Sequence, residues 1–149
     1  MRIQELNTLL MNTYDLIVRA ESEMLRSGPL EGLSVAEIHT LEAIGRGETI
    51  AMCELAQKLH ISMPTLSVCI KKLVEKGYVA RTGDKGDRRR VLVCLTRNGE
   101  ISERLHAMFH RKMISETLDF LTEEESEILI QALIKINAYF LTYGNGENG

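Results

Sequence analysis

The sequence predicts a mainly helical α+β fold in which a helix-turn-helix and a β-hairpin lie between long flanking helices. Apolar residues recur at the 3.6-residue spacing of helices along most of the chain. Only between residues 78 and 95 does this pattern change to the alternation and β-branched residues typical of strands. A chain of 149 residues with 44% hydrophobic residues needs no disulfides or structural metal to fold. We therefore expect a single domain over residues 1–149.

The first predicted helix begins near Leu6 and carries an apolar stripe as far as Leu25. Only Glu21 interrupts this stripe. The helix ends at residues 27–29, Ser-Gly-Pro, because glycine and proline do not favour continuation of a helix.

The next three helices are predicted from their starting residues and their apolar spacing. Ser34 and Glu37 have the spacing of a capping box, in which each side chain accepts a hydrogen bond from the other's backbone amide. This second helix is expected to run to about Gly45. Residues 50–59 are predicted as a short third helix, and a fourth helix is expected to start near Ser62.

A two-stranded hairpin is predicted after the fourth helix. Residues 78–81 and 91–95 are expected to be its strands, with the glycine-containing segment 83–87 as its tip. A long fifth helix then starts after Thr96, and residues 122–125 form the capping box of a sixth.

Residues 52–70 have the spacing of a helix-turn-helix. Leu55 and Leu66 are expected to close the core between two crossing helices, which the small Ala56 allows to approach closely. His60 stands at the turn, where it is one of the few residues besides glycine that tolerate a positive φ angle.

The positive charge of the chain is concentrated in the same part of the sequence. Residues 58–97 contain ten basic and three acidic side chains, although the whole chain carries a net charge of −3. This distribution is typical of a protein that touches a polyanion with one face. Short polar side chains at a helix start suit a DNA major groove, and arginines on a hairpin tip suit a narrow minor groove. The candidate DNA contacts are Ser62, Pro64, Thr65, Ser67, Val68, Lys71, Lys72, Lys85, Arg88, Arg89 and Arg90.

These segments resemble the MarR family of bacterial transcriptional regulators, and the similarity extends over nearly the whole chain. The matching motifs are Leu55-Ala56, Ile61-Ser62, Thr65 to Ser67, Ile70 to Arg81, Asp87 to Arg89 and Leu95 to Gly99. The resemblance implies a winged helix-turn-helix in a homodimer whose terminal helices interlock. It also implies that Arg89 lies in the wing and that Asp87 helps to orient it.

The apolar stripes of the outer helices independently call for a partner. Residues 6–25 and 128–141 offer more apolar surface than a compact winged helix can cover. We expect a two-fold dimer on a pseudo-palindromic double-stranded DNA operator with half-sites about 10 bp apart. The expected segments are the winged helix-turn-helix at 34–96, dimerisation helices at 1–27 and 97–143, and a disordered tail at 144–149.

Within the family, residues 37–45 and 105–113 are most similar to the branch that represses fatty-acid biosynthesis genes and responds to long acyl chains on acyl carrier protein. The resemblance therefore implies acyl carrier protein as a partner and a long acyl group, or another small hydrophobic ligand, as effector. Flexible methionines suit an irregular acyl chain. The candidate pocket consists of Met11, Tyr14, Ile17, Met24, Ile38, His39, Met52 and Met108, with core and dimer seam as the alternative role of these residues.

A zinc-responsive regulator is an alternative hypothesis. His106 and His110 lie four residues apart on one predicted helix, which is the spacing of two metal-binding imidazoles. His39 with Glu21 or Glu23 would complete a site of nitrogen and oxygen donors.

The remaining alternatives are a thiol sensor, an adaptor and an enzyme. Cys53 stands at the start of a predicted helix and is a candidate redox thiol, whereas Cys69 and Cys94 are expected in the core. The three cysteines have no disulfide or CxxC spacing, and neither an apolar run of 18 residues nor a leader is present, so we expect a cytoplasmic protein without a membrane span. The sequence contains no phosphate loop, GxSxG or HExxH motif that would indicate an enzyme. A winged-helix protein adaptor that does not bind DNA stays open.

Overall fold

The computed structural model describes the backbone of residues 2–144 and the side chains of residues 2–143. Its contacts divide the chain into two compact units, residues 1–107 and 108–149, with the boundary inside the fifth helix. The expected disordered tail lies outside the described residues except for Gly144, which ends the last helix.

The described residues form six helices and three short strands, as expected for a mainly helical α+β fold. The first unit contains α1 to α4, the three strands and the first part of α5, and the second unit contains the rest of α5 and α6. No described helix is both long and apolar enough to cross a membrane. The elements are α1 (Arg2–Arg26), α2 (Val35–Ile44), β1 (Thr49–Ala51), α3 (Met52–Leu59), α4 (Met63–Glu75), β2 (Val79–Gly83), β3 (Val91–Leu95), α5 (Arg97–Leu118) and α6 (Glu123–Gly144).

Strand β1 corrects the sequence prediction, which placed Ile50 in a helix. Thr49 pairs with Cys94 and Ile50 with Val93, so the sheet is antiparallel with the order β1-β3-β2. Helix α3 begins only at Met52. The sequence prediction was wrong here because three residues are too few to show alternation, and their pairing partner lies more than 40 positions away.

The predicted helix caps are confirmed. The Glu37 amide donates to Ser34 Oγ at 3.1 Å, and the Ser34 amide donates to Glu37 Oε2 at 3.0 Å. Lys76 Nζ, beyond the end of α4, donates to the same Glu37 Oε2 at 2.7 Å, so the buried carboxylate also ties α2 to α4. In the second unit, the Glu125 amide donates to Thr122 Oγ1 at 3.2 Å, which completes the predicted cap of α6.

The hydrophobic core of the first unit lies between α2, α3, α4 and the sheet. Leu55 and Leu66 are fully buried in it, as the helix-turn-helix spacing predicted. Ile70 and Leu73 are also fully buried and complete the inner face of α4. Because every third or fourth residue of α4 is anchored in this way, its opposite face is held outwards in a fixed orientation.

Helices α1 and α6 differ from this pattern, since each presents many exposed apolar side chains. Along α6, none of the described side chains is buried. The exposed apolar residues of the two helices are Ile3, Leu6, Leu9, Leu10, Met11, Tyr14, Leu16 and Ile17 in α1, and Ile128, Leu129, Ile130, Leu133, Ile134, Tyr139, Phe140, Leu141 and Tyr143 in α6.

Candidate nucleic-acid interface

The first part of the interface is the amino-terminal end of α4. Ser62 is its N-cap, and its Oγ accepts a hydrogen bond from the Thr65 amide at 3.3 Å and lies 2.9 Å from Thr65 Oγ1. Pro64 stands in the first turn, where its missing amide hydrogen costs no helical hydrogen bond. Ser67 and Val68 follow on the exposed face. This end of α4 is therefore both rigid and open to a ligand.

The turn between α3 and α4 fixes the angle at which α4 is presented. His60 has a φ of 54° and a ψ of 41°, which is the left-handed conformation that the sequence predicted for this position. Its amide donates to the Gln57 carbonyl, and the Ile61 amide donates to the Ala56 carbonyl, both at 3.1 Å. These bonds satisfy carbonyls at the end of α3, so the helix ends at Leu59 and the chain leaves its axis towards α4.

The second part of the interface is the wing, formed by β2, β3 and the loop of residues 84–90. The amide of Gly86 donates to Asp84 Oδ1 at 2.8 Å, and the amide of Arg89 donates to Asp87 Oδ1 at 2.9 Å. Asp87 thus fixes the backbone from which the Arg89 side chain projects, which supports its predicted role in orienting the wing. Lys85, Arg88 and Arg89 are exposed on this loop.

A cleft of about 410 Å³ lies where the start of α3, the start of α4 and the wing meet. Its residues include Ser67 from α4 and Arg81 from β2, and Arg81 was not among the predicted DNA contacts. Side chains alternate between the two faces of a strand, and this alternation along β2 is the sequence signal that would have placed Arg81 on the side of the cleft. The cleft is lined by Ala51, Met52, Cys53, Met63, Ser67, Arg81, Arg89, Arg90 and Val91.

All eleven predicted DNA contacts are exposed, but Arg90 differs from the others in its surroundings. Its Nη2 donates to Glu54 Oε1 on α3, and its Nη1 lies 3.7 Å from Asp84 Oδ2. The guanidinium therefore already lies between two carboxylates of its own chain. Sequence reasoning did not find Glu54, because it stands 36 positions away from Arg90.

The eight residues of the predicted effector pocket fall into different environments. Ile38 and Met52 belong to the hydrophobic core, and Met24 packs against that core. Met11 and Tyr14 are exposed on α1. Ile17 and His39 are likewise exposed in the first unit, and Met108 belongs to the second unit. The pocket stays a prediction, and its core members contribute to stability in any case.

A second polar cluster joins α1, α2 and α5. Glu21 Oε1 lies 2.8 Å from His39 Nε2 and 2.6 Å from His106 Nε2, and His106 Nδ1 lies 3.1 Å from Glu42 Oε1. Glu21 is 3% exposed and His106 is fully buried. The acid that interrupts the apolar stripe of α1 thus points inwards. Glu23 instead is exposed and forms an ion pair with Arg26, so Glu21 is the acid that accompanies the histidines.

Of the three cysteines, Cys53 is exposed and lines the cleft at the start of α3. Cys69 packs against the core, and its Sγ lies 3.4 Å from Thr40 Oγ1. Cys94 is half-buried on β3.

Comparisons with known proteins agree with this geometry. The model of the MarR family matches residues 31–90. The multiple antibiotic resistance protein MarR of Escherichia coli is 31% identical over 109 residues, which cover 72% of this chain and 75% of that protein. The transcriptional repressor MdtR of Bacillus subtilis is 25% identical over 122 residues, which cover 82% of this chain and 79% of that protein.

Solved structures give the same result for the fold. The Streptococcus pneumoniae FabT structure in complex with DNA has a TM-score of 0.91 at 26% identity and covers 95% of this chain and 99% of that chain. A mutant E. coli MarR complexed with operator DNA has a TM-score of 0.73 at 27% identity and covers 91% and 95%. The capped helix, the left-handed turn and the arginine-bearing wing are thus the parts of a winged helix-turn-helix, and the chain belongs to the MarR family of transcriptional regulators, which are not enzymes.

Proposed function

We propose that the chain is a homodimeric repressor that binds a pseudo-palindromic operator in double-stranded DNA. The observation that carries this proposal is the convergence of the exposed α4 start and the arginine-bearing wing on one cleft. The relatives FabT and MarR, which were solved with DNA, support it. Since an operator is chromosomal, the proposal includes a cytoplasmic location.

The two parts of the interface suit different parts of a duplex. The start of α4 carries short side chains and enters a major groove about 12 Å wide, where Ser67 is placed to meet base edges. Lys71, one turn further on, is placed to meet phosphates. Arg89 on the wing enters the adjacent minor groove, where narrow A·T-rich sequence favours an inserted guanidinium.

A second copy of the chain is the proposed occupant of the exposed apolar faces of α1 and α6. Monomeric proteins rarely expose contiguous apolar patches larger than a few hundred Å², and each of these two helices by itself exposes at least eight large apolar side chains. A two-fold dimer presents two copies of α4, so the half-sites would be about 10 bp apart.

The experiment that tests this function is a salt series of operator binding, followed by fluorescence anisotropy. The probe is a palindromic A·T-rich duplex from upstream of the coding gene, and a shuffled duplex of equal composition is the control. A DNA-binding regulator loses affinity with a log–log slope near −0.9 for each phosphate contact and prefers the palindrome. Equal, weak binding to both duplexes would instead favour a protein adaptor.

The proposed effector is a long acyl group, delivered by acyl carrier protein. The similarity of residues 37–45 and 105–113 to the fatty-acid branch supports this choice. The test is titration of the protein–operator complex with acyl carrier protein bearing a C16 or C18 chain, compared with the unacylated carrier. A change in operator affinity that requires the acyl chain supports the effector, and identical effects of both carriers contradict it.

Zinc is the second candidate effector, because Glu21 Oε1 lies within hydrogen-bond distance of both His39 Nε2 and His106 Nε2, which brings one carboxylate and two imidazoles together. Nitrogen and oxygen donors of this kind suit Zn²⁺. His110, one helical turn after His106, is the sequence-based candidate for a fourth donor. Bound zinc would connect α1 to α2, and α2 packs on α4. Zinc binding would therefore alter the position of α4, the helix proposed to enter the major groove.

Metal analysis of the untagged protein separates the two effectors. Wild type is expected to hold zinc after dialysis if the cluster is a metal site, and His106→Gln is expected to lose it. His60→Asn is the matched control, because it removes an exposed histidine and asparagine tolerates the same left-handed backbone. Absence of zinc from wild type, or equal zinc in wild type and His106→Gln, would end the zinc hypothesis.

A further inference from the structure

Arg90 is attached to the rest of the molecule through both its backbone and its side chain. Its amide donates to the Asp87 carbonyl at 3.0 Å, and its carbonyl accepts from the Asp84 amide at 3.3 Å, which closes the wing loop. Its guanidinium bonds Glu54 in the first turn of α3 and lies beside Asp84. This side chain thus connects the wing to the helix-turn-helix.

The connection between Arg90 and Glu54 lies at the part of the hairpin that β1 does not support. Strand β1 pairs with β3 only from Cys94 to Leu92, so the outer hairpin, from the pair Gly83–Val91 to the loop tip, consists of two strands alone. An isolated two-stranded ribbon is marginally stable in water. The ion pair between Arg90 and Glu54 anchors this outer part to α3 at the point where the support from β1 has ended.

Three features argue that the Arg90 guanidinium does not contact a DNA phosphate. A phosphate that displaced Glu54 would leave an unpaired carboxylate beside a polyanion, and a phosphate that bound beside Glu54 would be repelled by its charge. Glu54 is also favourably placed where it is, because an acidic side chain in the first turn of a helix interacts well with the helix dipole. A guanidinium that is already neutralised by carboxylates releases few counterions when DNA binds.

We propose that Arg90 is a positioning residue: through its ion pair with Glu54 it holds the wing against α3, in the position from which Arg89 reaches the DNA. This inference rests on the proposed DNA-binding function and refines it: of the three consecutive arginines, Arg88 and Arg89 face the ligand, and Arg90 holds the wing. Glu54 then contributes to DNA binding although it is an acid in a basic interface.

The test is a double-mutant cycle with Arg90→Gln, Glu54→Ala and the double variant, with operator affinity measured over a salt series. Each single change is expected to weaken binding by about three- to fivefold, the range of an exposed ion pair, with an unchanged salt slope. The double variant is expected to bind no more weakly than either single variant. Arg89→Gln is the contrasting control, since losing a guanidinium that neutralises DNA charge from within the minor groove flattens the salt slope by about 0.9 per half-site.

Three results would overturn the inference. In the first, Arg90→Gln flattens the salt slope as much as Arg89→Gln does. In the second, Glu54→Ala binds the operator more tightly than wild type. In the third, the loss of affinity in the double variant equals the product of the losses in the two single variants. Hydrogen exchange of the Asp84 and Arg90 amides gives a readout without DNA: both single variants should speed this exchange, and unchanged exchange in either variant contradicts the proposal. If wild type does not prefer its operator over other duplexes, the proposed function is wrong. Faster amide exchange in the two single variants would still show that the Arg90–Glu54 ion pair holds the wing.

Discussion

Helices α4 and α6 have similar apolar repeats, but the repeat of α4 is buried and that of α6 is not. Helix α4 buries Leu66, Ile70 and Leu73 completely, and its outer face carries the predicted DNA contacts. Helix α6 is nearly twice as long, yet none of its described side chains is buried. The comparison teaches that the chain alone fixes the orientation of the DNA-binding helix, whereas it leaves the apolar face of α6 uncovered, where we propose that a second copy of the chain binds.

The largest expected effect is on stability, in the core beneath α4. Leu66→Ala removes a fully buried side chain and is expected to lower the free energy of unfolding by about 2–5 kcal/mol, since it leaves a cavity. Urea denaturation at several protein concentrations measures it. Val68→Ala on the exposed face of α4 is the matched control, with an expected change within about 0.5 kcal/mol. Equal losses in the two variants would mean that α4 has no fixed inner face.

On α6, the corresponding change is expected to alter the assembly and not the fold of the chain. Leu133→Glu places a charge on a residue that is 43% exposed in the single chain, in the apolar face proposed for the dimer. We expect a rise of at least about tenfold in the dimer dissociation constant, because each buried, unpaired polar group costs roughly 1–3 kcal/mol. Sedimentation equilibrium measures this change.

The control for the dimer prediction is Val68→Glu, which adds the same charge to an exposed apolar residue of α4. It is expected to leave the dissociation constant unchanged. A wild-type protein that stays monomeric at micromolar concentration would remove the dimer from the proposed function, and so would a Leu133→Glu variant that associates as tightly as wild type.

The same contrast between local and distant partners explains what the sequence could predict. The caps at Ser34 and Ser62 involve residues three positions apart, and the left-handed turn depends on His60 alone, so local pattern is enough to find them. The inner face of α4 also follows from helical spacing. The helix-turn-helix, the wing and the family resemblance were accessible for this reason.

Features that depend on distant partners were predicted only in part. The helical spacing of the histidines led to a candidate group with His39, but it left Glu21 and Glu23 as equal alternatives, and only the fold shows that Glu21 meets His39 and His106, 18 and 85 positions away. Arg90 belongs to a basic run, and only the fold shows that Glu54 binds it. The sequence identified the important residues, but it did not choose between the two acids near the histidines and did not find the partner of Arg90, because ion pairs between separate elements leave no periodic signal.

On the wing, a smaller effect is expected from the residue proposed to enter the minor groove. Arg89→Ala is expected to weaken operator binding by about 10- to 100-fold, which corresponds to roughly 1–3 kcal/mol for a lost contact. Arg26→Ala is the matched control, because Arg26 is an exposed arginine on α1, outside the cleft. Anisotropy titrations with the operator measure both variants. Similar affinities for wild type and Arg89→Ala would exclude the wing from DNA binding.

The smallest effect separates the stability of a helix start from its role in binding. Ser62→Ala removes the cap of α4 and Ser34→Ala removes the cap of α2, and each is expected to lower the free energy of unfolding by about 1 kcal/mol. Only the Ser62 change also loosens the helix end that faces DNA, so only this variant should lose operator affinity beyond what its stability explains. Thermal melts and anisotropy titrations on the pair measure the two effects. If both caps changed affinity equally, the start of α4 would act on DNA only through overall stability, and its exposed side chains would not form the contact surface.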